Sequence, residues 1–275
     1  MNHCSAGLAA KALCVLALSL HPLATLAQTL RIVGPGGTTE LTLDEMQSRL
    51  HSQVVELDDP TYKKARTFDA FRLRDVMKLA KASSAPVGSV LIFKATDGYL
   101  PHLATKDLSN DAYLAFQEHG RRRVFEPIAT ASSPIDPGPY YLVWKGAATA
   151  DLPWPYQLKE IEVVPDFERR QANLQPRQPP DVEVEHGLML FSRECTRCHS
   201  INHVGGKVGP ELNDPINVTE YKTGAEISRY IRNAPSVSPA TKMPRFDQLN
   251  DADVRALVQY LKAMKLSKVP EKVTE

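Results

Sequence analysis

The chain of 275 residues holds no apolar run as long as the roughly 20 residues that a membrane-spanning helix needs. It carries almost no net charge, formally +1, so nothing in it points to nucleic acid as a partner. No internal repeat is visible. Cysteine is scarce: Cys4, Cys14, Cys195 and Cys198 are the full set. A structural zinc site would need a second ligand pair of comparable spacing, and none is present.

The first two cysteines fall in a segment with the pattern of a secretory signal. Lys11 supplies the positive start, residues 12–20 are a short apolar stretch, and Thr25-Leu26-Ala27 offers small residues for cleavage before Gln28. A signal peptide over 1–27, cleaved after Ala27, and export to a bacterial periplasm are expected. An uncleaved anchor is the alternative. Loss of Lys11 leaves the mature chain near neutral, with Cys195 and Cys198 as its only thiols.

What is present is Cys195-Thr196-Arg197-Cys198-His199, a C-x-x-C-H pentapeptide. This is the attachment pattern of a c-type haem. Two thiols three positions apart can each bond one vinyl-derived carbon of a porphyrin. The adjacent His199 is then placed to bind the iron. The competing use is a thioredoxin-type disulfide, which expects a strand-turn-helix setting. Export favours the first reading, because covalent haem attachment takes place outside the inner membrane.

One boundary stands out. Residues 166–180 are polar and Gln-rich, with Pro176, Pro179 and Pro180. Such a stretch favours extended conformations and reads as a linker between 28–165 and 181–269, with a flexible tail at 270–275.

The C-terminal part reads as helical. Val184, Leu188, Phe191 and Cys195 share one helix face and lead into the pentapeptide. Thr223-Gly224-Ala225-Glu226 is a capping box ahead of Ile227, Tyr230 and Ile231. Asn250 caps a last helix carrying Val254, Leu257, Val258, Leu261 and Met264. Met189 and Met264, on the first and last helices, are expected to fill core.

With these features, residues 182–265 resemble the class I cytochrome c family, an all-α fold around one covalent haem c. The resemblance implies that Gly187 lets the first and last helices cross closely, with Phe191 before the motif and Tyr260 packed at the crossing. It also implies roles for Gly209-Pro210-Glu211-Leu212 and Lys242-Met243-Pro244. In the first, the carbonyl of Pro210 accepts the second N–H of His199, which orients the ring. In the second, Met243 comes from a loop as the other axial ligand, and its soft sulfur stabilises ferrous iron. Met243 as a gap-filler, and His186 or His203 as ligands in its place, are the alternatives.

The N-terminal part reads as α+β. Strands are expected at Leu30-Val33, Val54-Leu57, Val90-Lys94, Ala112-Phe116, Tyr140-Trp144 and Ile161-Val164. A capping box at Thr42 precedes one helix, and Leu73, Val76, Met77 and Ala80 form the stripe of another. Asp97-Gly98 marks a turn. Residues 71–77, 95–99, 106–108, 112–115, 140–144 and 158–163 resemble the molybdopterin-binding domain of sulfite-oxidase-type enzymes, which implies a mixed-sheet scaffold. In that family a cysteine binds the molybdenum, and 28–165 contains none. A scaffold without molybdopterin, used for docking, is therefore expected. Asp97, Tyr99 and His102 are its candidate functional residues, set against a plain strand-linking turn. His102 with His119 is a conceivable metal pair.

Three function classes remain. The first is a mono-haem electron carrier between a periplasmic oxidoreductase and a downstream acceptor, needing no catalytic residue of its own. The second is a cytochrome subunit of a dehydrogenase complex, which leaves open whether the chain counts as an enzyme. The third is a haem-based sensor.

Overall fold

The computed structural model describes residues 28–109, 111–130, 133–146 and 152–270. The expected signal peptide and residues 271–275 of the expected tail lie outside them.

In chain order the elements are β1 (Thr29–Gly34), β2 (Gly37–Thr42), α1 (Leu43–Arg49), β3 (Gln53–Asp59), β4 (Lys64–Arg72), α2 (Leu73–Leu79), β5 (Val90–Ala95) and β6 (His102–Ala104). They continue with β7 (Ala112–Glu118), β8 (Tyr141–Trp144), β9 (Leu158–Val164), α3 (Phe167–Arg170), α4 (Val182–Leu190), β10 (Ser200–Ile201) and β11 (Val204–Gly205). Then come α5 (Val218–Tyr221), α6 (Gly224–Val237) and α7 (Asp251–Met264).

The N-terminal part is β-rich with a mixed sheet. Five strands lie in the order β2-β1-β9-β5-β6, with β1 parallel to β9 and the other pairs antiparallel. A second, antiparallel sheet runs β3-β4-β7-β8. Leu30, Ile32, Phe93 and Ile161 of the first sheet pack with Phe71, Leu114, Leu142 and Trp144 of the second, together with Met46 of α1 and Val76 of α2. The second sheet buries its other face too, around Val55, Phe68, Tyr113 and Tyr141. A sheet covered on both sides cannot alternate apolar with polar, which is why β8 reads Tyr-Leu-Val-Trp and is wholly buried.

The expected strands and both expected helices are present. β2, β4 and β6 go beyond the expectation. β4 was hidden by its charges: Arg66 points inward, only 7% exposed, and is held by Glu118 and, at 2.7 Å, by Glu126. A buried arginine with two carboxylate partners looks like a surface residue in a sequence pattern.

The C-terminal part is helical. α4 continues through a π-helical turn, Phe191–Cys195, into the pentapeptide. α4 crosses α7 at Gly187, where a Cβ would overlap the carbonyl oxygen of Ala256 and sit 2.7 Å from Tyr260 Cβ. Tyr260 is fully buried there, 5.3 Å from the Phe191 ring, and its hydroxyl donates to the Leu174 carbonyl at 2.8 Å. One feature departs from an all-α unit: β10 and β11 form a minimal hairpin. Its two turn residues, Asn202 and His203, adopt φ of 51° and 66°, the left-handed pair that such turns require.

Two expectations are corrected. Residues 166–180 are not simply extended. Asp166 caps α3, and Leu174 inserts fully buried into the helical core. One apolar side chain with a core to enter outweighs the polar composition around it. Met189 does not fill core but is 59% exposed, because it lies on the opposite side of α4 from Leu188 and Phe191. Met264 is fully buried as expected. Among the described residues no helix is long and apolar enough to cross a membrane.

Candidate haem site

The pentapeptide is folded as a tight turn. The amides of Cys198 and His199 both donate to the Cys195 carbonyl, at 3.0 and 2.8 Å. The amide of Gly209 donates to the Cys198 carbonyl at 2.9 Å, and that of Gly206 to the Thr196 carbonyl at 2.7 Å. These bonds bring the Gly209-Pro210 segment against His199. A Cβ on Gly209 would collide with the imidazole ring, so only glycine allows the backbone this close.

His199 Nδ1 lies 2.9 Å from the Pro210 carbonyl oxygen. A carbonyl only accepts, so Nδ1 carries the hydrogen and Nε2 keeps its lone pair. Burial holds the His199 pKa below its usual value, which keeps the ring neutral and able to ligate.

Glu211 fixes the neighbouring backbone. Its carboxylate accepts from the amides of Asn202 at 2.9 Å, His203 at 3.1 Å and Asn213 at 3.0 Å. Behind it runs a chain of buried amides. Asn217 donates to Asn213 at 2.7 Å and to the Leu261 carbonyl at 2.9 Å, and Asn213 donates to Asn202 at 2.8 Å. Asn202 in turn donates to the carbonyls of Asn173 and Ser267, both at 2.8 Å. The loop carrying Pro210 is thereby tied to α7.

Cys195 and Cys198 are not joined to each other. Burial pushes Cys195 up to about 12 and Cys198 up to about 11. A reactive redox dithiol has the opposite shift.

Met243 follows α6, whose helical path breaks at Asn233 just before Pro235. Its amide donates to the Thr241 hydroxyl at 3.1 Å. Its side chain is half-buried and packs on the same apolar cluster as Cys195, Val204, Leu212 and Phe246. Partly buried apolar groups on the cluster that also packs Cys195, together with a neutral imidazole next to the two cysteines, fit a flat apolar macrocycle carrying a metal.

The competing histidines each face a carboxylate. His186 pairs with Asp253 at 2.7 Å, linking α4 to α7, and His203 pairs with Asp214 at 3.3 Å. His119 pairs with Asp69 at 2.8 Å, while His102 packs tilted against Phe167 with ring centroids 4.7 Å apart. Among the described residues no group of three or more His, Cys, Asp or Glu is placed to hold a metal ion.

The N-terminal candidates prove to lie at the pentapeptide. Tyr99 is half-buried, and burial raises the pKa of its phenol while nearby Arg197 opposes that rise. The Asp97 carboxylate accepts the Tyr99 amide at 3.0 Å and is felt by Cys198. His102 lines a cleft of about 230 Å³ with Leu100, Phe167, Thr196 and Gly205. Lys94 and Arg170 on that cleft are already paired with Glu160 and Glu162. Gly98, Arg197, Gly209, Glu211 and Tyr156 were not singled out from the sequence as site residues. The one local signal was Gly209-Pro210, whose glycine had a packing role beside the proline's.

The comparisons decide the domain. The family model described as cytochrome C oxidase, cbb3-type, subunit III matches residues 182–261. The chain carries a cytochrome c domain. This domain makes it an electron-transfer haem protein, with haem c as the implied cofactor. No curated protein matches the chain.

Proposed function

We propose that this chain is a periplasmic mono-haem cytochrome c. It would pass single electrons between a periplasmic oxidoreductase and a downstream acceptor. Its parts are a signal peptide (1–27) cleaved after Ala27, a docking scaffold (28–165), a Pro/Gln-rich connector (166–180), the cytochrome domain (181–269) and a short tail. The scaffold is a sulfite-oxidase-like fold that has no thiol for molybdenum and works without molybdopterin. The processed protein keeps no membrane span and does not bind nucleic acid.

Cys195 and Cys198 tether one haem, and His199 and Met243 are its axial ligands. A haem held there supplies a one-electron iron couple whose potential responds to ligands, burial and hydrogen bonds. The chain's residues do the rest. Pro210 and Gly209 set the plane and tautomer of His199, and the Met243 loop closes the other side against water. A site closed on both sides passes electrons with little rearrangement and offers no open position to substrate.

The observation that carries this reading is the His199–Pro210 hydrogen bond of 2.9 Å beside the paired cysteines. The test is purification of the native protein with its partners, followed by metal analysis and a haem stain on the denatured chain. One iron per chain and stain surviving denaturation are expected. Stoichiometric molybdenum, or haem lost on denaturation, sinks the proposal. Ferric protein is also expected to show the weak far-red sulfur-to-iron band. Its survival in Met243→Ala would remove Met243 from the site.

A further inference from the structure

The N-terminal scaffold grips the haem-attachment segment itself. The loop after β5, residues 97–100, lies against the pentapeptide and against the segment leading to Gly209. The amide of Leu100 donates to the carbonyl of Arg197 at 2.8 Å, and the amide of Lys207 donates to the carbonyl of Gly98 at 3.0 Å. Two backbone bonds in opposite directions make a short ladder between parts of the chain about a hundred residues apart.

The ladder depends on glycine. Gly98 has φ of +91°, and a Cβ there would stand 3.1 Å from both the backbone carbonyl carbon and the Cβ of Lys207. A side chain at 98 is therefore strained twice, by its backbone and by its neighbour.

Side chains reinforce the contact. The half-buried Tyr99 side chain lies near Arg197, whose guanidinium donates to the Arg193 carbonyl at 2.8 Å. The Cys198 side of the motif thus faces protein from another part of the chain.

We propose that residues 97–100 are a positioning clamp of the haem site, through which the N-terminal scaffold sets the reduction potential. The clamp closes the Cys198 side against water. A drier site favours the ferrous form, which carries one positive charge fewer than the ferric. Releasing the clamp admits water, so the potential falls. This inference rests on the haem-binding reading above.

The test uses the full-length holoprotein with Gly98→Ala and Tyr99→Phe. Neither change touches Cys195, Cys198 or His199. Amide exchange is read at Leu100 and Lys207, and the midpoint potential is read by spectroelectrochemistry. Gly98→Ala is expected to speed exchange at both amides. It should shift the redox equilibrium about tenfold toward ferric, about 59 mV for a one-electron couple. Tyr99→Phe is expected to lower the potential by less and to leave the amides protected. A purely structural contact would change exchange without changing the potential, and that result overturns the proposal. Unchanged exchange in Gly98→Ala overturns the clamp itself. Absence of covalent haem in the wild-type protein would instead overturn the functional reading beneath it.

Discussion

The two parts of the molecule solve the core problem differently. The β-rich part fills its interior from its own large side chains: Trp144, Tyr140, Tyr141, Phe68, Phe71, Phe93 and Phe116 are all essentially inaccessible. The helical part has only Phe191 and Tyr260 among the largest fully buried side chains, and it leaves Cys195, Leu212, Met243 and Phe246 half-buried at the edge of its apolar cluster. In place of aromatic bulk it buries the amide chain Asn202-Asn213-Asn217. Small domains gain little from burial alone, so a ligand that completes the apolar core adds stability as well as chemistry. The β-rich part fills its core with aromatic rings, whereas the cytochrome domain implies a haem c.

Probes are conveniently divided between the two. Both tryptophans, Trp144 and Trp154, lie in the β-rich part, so fluorescence follows its unfolding while haem absorbance follows the other. The largest expected effect is from Phe68→Ala. This fully buried ring packs edge-on to Tyr141 with centroids 5.8 Å apart, and its loss should cost about 4 kcal/mol. Denaturant curves should show the fluorescence transition moving while the haem transition keeps its place. Equal shifts in both would mean that the parts unfold as one unit and would erase the contrast.

Gly187→Val is the converse. The added carbons meet the backbone of α7, which cannot step aside as a side chain would, so about 3 kcal/mol is expected from the helical part alone. The haem transition should move and fluorescence should not.

The smallest effect is expected from acid. Hydrogen bonds from Ser200 and from the amides of His203, Asn213 and Asn202 outweigh burial and hold the Glu211 pKa below its usual 4.5. The unfolded state then binds the extra proton, so Glu211 contributes stability above about pH 4.5 that is lost as pH falls through the folded pKa. Asp59 in the β-rich part works the other way. Burial raises its pKa above 3.8, so its protonation on acidification relieves a penalty. Glu211→Gln should flatten the pH dependence of the haem transition below pH 4.5 and leave the fluorescence transition alone. An unchanged slope would remove Glu211 as the acid-sensitive group.

Local rules account for what could be read in advance. The capping boxes at Thr42, Thr223 and Asn250 all form, because a cap is made by residues three apart. The apolar strands β5, β7 and β8 were legible because burial on both faces makes continuous runs. β4 was not, since its inward Arg66 depends on Glu118 and Glu126 far along the chain. Leu174 looked like part of a solvated connector until the helical core gave it a place. Asp97 and Tyr99 were noticed but had no partner in the sequence.

By itself, then, the sequence determined the attachment pentapeptide, the helices on either side of it and most strands of the scaffold, because spacing, caps and periodicity act over a few residues. Only the tertiary structure decided that Gly98, Tyr99 and Leu100 lie on Arg197 and Lys207. That contact is made of backbone bonds, which any residue can form and no residue advertises. It depends on two separately folded surfaces meeting, and no local pattern encodes such a meeting.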